Sequence, residues 1–138
     1  MKDEFDLCLV LNTRMAARAI TRKADERLRP YEVTAAQFNI LGKLQVRQNR
    51  SISDMADEIA MDRTTLSRNL SLLEQKRLVC ATYAKAGGAR HYEVTEEGKR
   101  RFEAVVPIWR QTIAELRTQL TDPDYMTIIS GLRAIARL

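Results

Sequence analysis

This 138-residue chain predicts a mainly helical fold with one short β-hairpin, and three observations carry the prediction. Apolar residues recur at helical intervals along most of its length. Only three prolines and five glycines interrupt it. One stretch, 78–94, changes period to two short runs of β-formers around a glycine pair. Hydrophobic residues make up 45% and charged residues 30%, ordinary for a chain with a packed core, and the length suits one domain.

Residues 4–29 place Phe5, Cys8, Leu9, Met15, Ala16, Ala19 and Ile20 at the spacing of an amphipathic helix, with Pro30 as its stop. Thr34 and Gln37 then have the spacing of a capping box, followed by Phe38, Leu41 and Leu44 at helical intervals. Ser51 and Asp54 repeat the capping spacing ahead of a short helix with Met55, Ala56 and Ile59 inward. Asp62 is a good N-cap for the next helix, 62–76, and the gap of a few residues describes a helix-turn-helix. "LVCATYA" and "RHYEV" are the strands of a hairpin, with Gly87-Gly88 able to supply positive φ at its turn. Thr95 caps a long helix from about Glu96 to Leu120, in which Pro107 predicts a kink. "TDPD" starts a last helix with Met126, Ile129, Leu132 and Ile135 on one side. A helix-turn-helix followed directly by a two-stranded hairpin is a winged helix, an architecture that lies against duplex DNA.

Composition narrows the function classes. A formal net charge of +5 favours an anionic partner such as nucleic acid. Two cysteines, Cys8 and Cys80, and one histidine, His91, cannot assemble a four-ligand zinc site, so no metal or cofactor is expected. Cys8 with His91 is the one conceivable nucleophile–base pair, but the helix-turn-helix reading puts them at opposite ends. With no glycine-rich phosphate loop or paired-carboxylate motif either, an enzyme is not expected. "MKDEFD" lacks the order of a signal peptide, and no apolar run approaches the roughly 20 residues of a membrane span. The expectation is a cytoplasmic protein with reduced thiols and no membrane partner.

The helix at 62–76 carries the functional signal. Leu66, Leu70 and Leu73 fall on one side, whereas Thr64, Arg68, Ser71 and Gln75 fall opposite, flanked by Arg63 and Ser67. A face of short hydroxyls and arginines suits a major groove about 12 Å wide, where bulkier residues would hold the helix off the bases. Asn69 lies nearer the core and reads as a capping or packing group. Thr64, Ser67 and Arg68 are the candidates for base edges and nearby phosphates, and Arg63, Thr65, Lys85 and Arg90 for positioning on the backbone or minor groove.

"ISDMADEIAMDRTTLSRNLSLLEQKRLV", with the hairpin and "VTEEGKR" after it, resembles the multiple-antibiotic-resistance regulator (MarR) family of bacterial transcription factors. The resemblance spans nearly the whole chain and implies a winged-helix homodimer on a palindromic operator, usually a repressor. It makes 62–76 the recognition helix and 83–92 the wing. It also implies release from DNA by a small aromatic or phenolic ligand, or by an oxidant, near the dimer junction. The lobe that binds DNA is then about 34–95, and the dimerisation helices about 4–29 and 96–138. Two positions depart from the family's pattern. Arg77 stands where glycine often precedes the first wing strand, and "AGGAR" keeps an arginine at Arg90 but loses the acid of an Asp-x-Arg signature.

Dimerisation has support from the residues themselves. "FDLCLVL" and the last helix, with Met126, Ile128, Ile129 and Leu132, offer more apolar surface than a small winged helix can cover. Candidates for the effector site are Cys8, Asn12, Arg14, Phe38 and Trp109. Two alternatives stand beside this expectation: a thiol-based oxidant sensor using Cys8, and a winged helix that binds protein rather than DNA.

Overall fold

The computed structural model describes residues 1–47, 50–83 and 90–138, apart from the side chain of Lys2. It forms two compact units, Met1–Val105 and Val106–Leu138. Among the described residues, no helix is long and apolar enough to cross a membrane.

The first unit opens with α1 (Lys2–Phe5) and α2 (Leu9–Leu28), so the single helix expected over 4–29 is two. The break lies at Asp6–Cys8, where Cys8 is extended at φ −66° and ψ 114°. Asn12 donates its side-chain amide to the Asp6 and Cys8 carbonyls, both at 2.9 Å; the Cys8 carbonyl also accepts from the Asn12 N–H, whereas for Asp6 the side chain replaces the bond a continuous helix would have made. Apolar spacing runs through the break and conceals it. Helix α2 ends at Leu28, just ahead of the expected stop, Pro30. The proline sits in a 3-10 turn, Arg29–Tyr31, where its missing N–H costs nothing, and Glu32 at φ 57° makes the exit.

Helix α3 (Ala35–Val46) starts at the expected capping box: Thr34 Oγ1 accepts from the Gln37 N–H and Gln37 Oε1 accepts from the Thr34 N–H, both at 3.2 Å. Helices α4 (Ile52–Ile59) and α5 (Arg63–Gln75) follow, joined through Ala60 in a left-handed conformation at φ 53°. Both carry the expected caps, with Ser51 accepting from the Asp54 N–H and Asp62 from the Thr65 N–H. Ile40, Leu41, Leu44, Met55, Leu66, Leu70, Leu73 and Leu78 are completely buried, so one core underlies the helix-turn-helix.

Strands β2 (Val79–Tyr83) and β3 (Arg90–Val94) pair antiparallel, Val79 opposite Val94 and Tyr83 opposite Arg90. The Gly87-Gly88 turn lies outside the described residues. A third strand, β1 (Arg50–Ser51), pairs with β3 to give the order β1-β3-β2. Its two residues are too few to show an alternation, and its pairing is decided by tertiary contact. Arg50, only 4% exposed, anchors that edge: its guanidinium donates to the Asp54 carbonyl at 3.0 Å and forms an ion pair with Glu58.

The end of α5 is a Schellman motif. Leu78 N–H reaches back to the Leu73 carbonyl and Arg77 N–H to that of Glu74, both at 2.9 Å, with Arg77 left-handed at φ 60°. A side chain in this conformation costs about 1–2 kcal/mol. Arg77→Gly is therefore expected to raise stability by about 1 kcal/mol, after the larger entropy glycine loses on folding. Urea unfolding checks this, and a midpoint at or below that of the parent would show that the arginine carries no such strain.

Helix α6 (Glu96–Gln119) begins as expected at Thr95, whose hydroxyl accepts from the Gly98 N–H at 3.0 Å and donates to the Arg77 carbonyl at 2.6 Å. Pro107 lies inside it. In the second unit, the remainder of α6 is followed by α7 (Tyr125–Ala136), capped by Asp124, which accepts from the Thr127 N–H at 2.8 Å. Arg117 lies over the Tyr125 ring at 5.5 Å. None of the residues of α7 is buried.

Candidate nucleic-acid interface

Helix α5 separates its two faces as its sequence requires. Leu66, Leu70 and Leu73 are wholly buried, and this edge holds the opposite face at the surface. There Arg63, Thr64, Ser67, Arg68 and Ser71 line one open concavity with Ile52 and Ser53. Four of the residues expected to touch DNA thus share one surface. Ile52 and Ser53 were not among the expected site residues. The Ser51–Asp54 capping spacing marks where α4 begins, but only the packing of α4 against α5 brings that end beside the surface.

Thr65 is differently employed. Its hydroxyl donates to Asp62 Oδ2 at 2.9 Å while its N–H donates to Oδ1 at 2.8 Å, so it completes the cap of α5. Asn69 donates to the Thr65 carbonyl at 3.0 Å, the packing role its position suggests. The two Thr65 bonds hold the Asp62 carboxyl below the usual carboxylate range. Ser51 does the same for Asp54, and Thr127 for Asp124. A carboxyl lowered in the fold contributes stability that is present at neutral pH and lost as pH falls through the ordinary value and then the lowered one. Asp62→Asn keeps a capping oxygen that does not titrate. The variant is expected to lose less stability than the parent as pH drops below about 4. Superimposable acid-unfolding curves would show that the Asp62 charge contributes nothing to the cap.

Lys85 lies outside the described residues. Arg90 heads β3, where its Nη2 donates to both carboxylate oxygens of Glu74, at 3.1 and 3.0 Å. Sequence reasoning did not single out Glu74, since a glutamate late in a helix ordinarily reads as solvated surface.

The effector candidates are placed as follows. Cys8 is the half-buried N-cap residue of α2, and Asn12 is tied to its carbonyl. Arg14 is exposed on α2. Phe38 is buried and stacks on Phe102 with ring centroids 4.8 Å apart. Trp109 belongs to the second unit and is 46% exposed. Among the described residues, no group of three or more His, Cys, Asp or Glu could hold a metal ion.

No family model and no curated protein matches the chain. Solved structures do. The transcriptional regulator MosR of M. tuberculosis is 28% identical over 96% of each chain, with a TM-score of 0.86. MosR in complex with DNA is 28% identical over 94% of each chain, with a TM-score of 0.84. A MarR family transcription regulator matches 99% of this chain and 90% of its own at 19% identity, with a TM-score of 0.76, and at that identity bears on the fold alone. The likeness to MosR covers nearly all of both chains, and this chain has the winged-helix fold of the MarR family regulator to which it is also similar.

Proposed function

We propose that the chain is a dimeric, sequence-specific DNA-binding transcriptional regulator that acts as a repressor and is modulated by a small aromatic or phenolic effector. The observation that carries this reading is the surface of α5. Arg63, Thr64, Arg68 and Ser71 are exposed and Ser67 half-buried along one concavity, over three wholly buried leucines, on a capped helix. Thr64, Ser67 and Arg68 are assigned to base edges and adjacent phosphates, and Arg63, Thr65, Lys85 and Arg90 to the backbone or minor groove.

Apolar exposure supports a homodimer. Phe5, Leu7, Leu9 and Val10 are all more than half exposed, and α7 buries none of its residues. Uncovered apolar surface on this scale suits a second copy. Two-fold symmetry then sets two recognition helices roughly 34 Å apart, on a palindromic operator. The repressor role and the effector rest on what is usual in the family, with Cys8, Asn12, Arg14, Phe38 and Trp109 as the effector candidates.

Selection of the purified protein on a random pool of duplex DNA tests the reading. Enrichment of a palindrome with half-sites about one helical turn apart is the expected result. No enrichment at low or moderate salt would overturn it in favour of a winged helix that binds protein.

A further inference from the structure

Arg90 is held from three sides. Beside the two bonds to Glu74, its guanidinium lies over the rings of Tyr83 at 5.8 Å and Tyr92 at 5.6 Å. Glu74 belongs to the last turn of α5, Tyr83 ends β2, and Arg90 and Tyr92 belong to β3. One cation therefore joins the recognition helix to both strands of the hairpin. Neither partner is buried, since the side chains are 42% and 37% exposed. An ion pair this exposed contributes little to stability by itself, because solvent screens it. The two aromatic faces add direction more than energy, restricting where the planar guanidinium can lie.

A guanidinium has five N–H donors, and both bonds to Glu74 come from Nη2. The donors on Nη1 and Nε have no hydrogen-bond partner among the described residues. An arginine fixed by one nitrogen, with the rest available, is pre-ordered for a phosphate, and less side-chain entropy is lost when it binds one. The loop sequence lacks an acid to orient Arg90, and here the acid comes from α5.

Resting on the DNA-binding reading above, we propose that Glu74 is a positioning residue for DNA binding, which holds Arg90 so that its remaining N–H donors meet the phosphate backbone beside the recognition helix. Simple electrostatics has the opposite sign. Deleting a carboxylate close to a polyanion should tighten binding, whereas losing a positioning group should weaken it.

The probe is the labelled duplex enriched from the random pool, titrated with the full chain between about 50 and 200 mM salt. Glu74→Ala and Arg90→Ala are each expected to weaken binding roughly tenfold, and to flatten the salt dependence by about one phosphate. The double variant should bind no more weakly than either single, because both remove one contact. Glu74→Gln, which keeps an acceptor oxygen, should fall between parent and alanine. Glu74→Ala binding as tightly as the parent or tighter, a double variant with additive losses, or weaker binding at an unchanged salt slope would each overturn the proposal. Those results presuppose a parent that binds. A parent that binds no duplex would overturn the DNA-binding reading and this proposal together.

Discussion

Gly98→Ala is expected to destabilise the protein by about 3 kcal/mol or more, close to the upper range for forcing extra atoms into a packed site. For a chain of this size that is roughly a 10 °C fall in melting temperature. Helix propensity alone points the other way, since alanine is favoured over glycine in a helix by about 1 kcal/mol. Packing decides the sign. A Cβ at Gly98 would lie 2.0 Å from the Leu78 carbonyl oxygen and 2.7 Å from Val94 Cγ1. The Leu78 backbone cannot easily withdraw. Its carbonyl accepts from the Thr95 N–H at 3.1 Å, and its N–H closes the Schellman motif on Leu73. Thermal and urea unfolding measure the effect. A gain in stability would mean that the start of α6 can move off the strand without loss.

Arg68→Ala should have the second large effect, on binding rather than folding. Arg68 is exposed on the face of α5 opposite the buried leucines, in the concavity it shares with Thr64 and Ser67. If its guanidinium takes the O6/N7 edge of a guanine, its loss should cost about 2 kcal/mol of specific affinity, roughly thirtyfold. The melting temperature should stay close to that of the parent, because no core contact is removed. Affinity for a duplex changed at that one base pair should fall much less in the variant than in the parent. Equal operator affinity in variant and parent would remove Arg68 from the contact set, leaving Thr64 and Ser67.

The sequence made the order of elements and the two sides of α5 legible, for a local reason. Capping groups lie three residues from the donors they satisfy, so Thr34–Gln37, Ser51–Asp54, Asp62–Thr65 and Thr95–Gly98 could be read as helix starts without any tertiary contact. The leucine edge of α5 follows from 3.6-residue periodicity, and its burial is complete. Four of the seven expected DNA contacts come together on one surface because they share that helix.

What could not be read depends on partners distant in the chain or on geometry that leaves no pattern. The break at Cys8 depends on how Asn12 uses its amide, and apolar spacing is blind to that. Strand β1 exists because β3 lies beside it. Arg50 is buried because Glu58 and the Asp54 carbonyl receive it, although an arginine in a polar stretch reads as surface. Glu74 and Arg90 are sixteen residues apart, and only the packing of the hairpin against the end of α5 brings them together.

By itself the sequence determined that this is a helix-turn-helix with a wing and which face of α5 points outward, since periodicity and capping are short-range and each residue carries its part of the signal. The tertiary structure alone decided how the hairpin joins α5, through a left-handed Arg77, a Gly98 that leaves room for the Leu78 carbonyl, and an arginine held by a glutamate from another element. Those features need surfaces that exist only once the chain has folded.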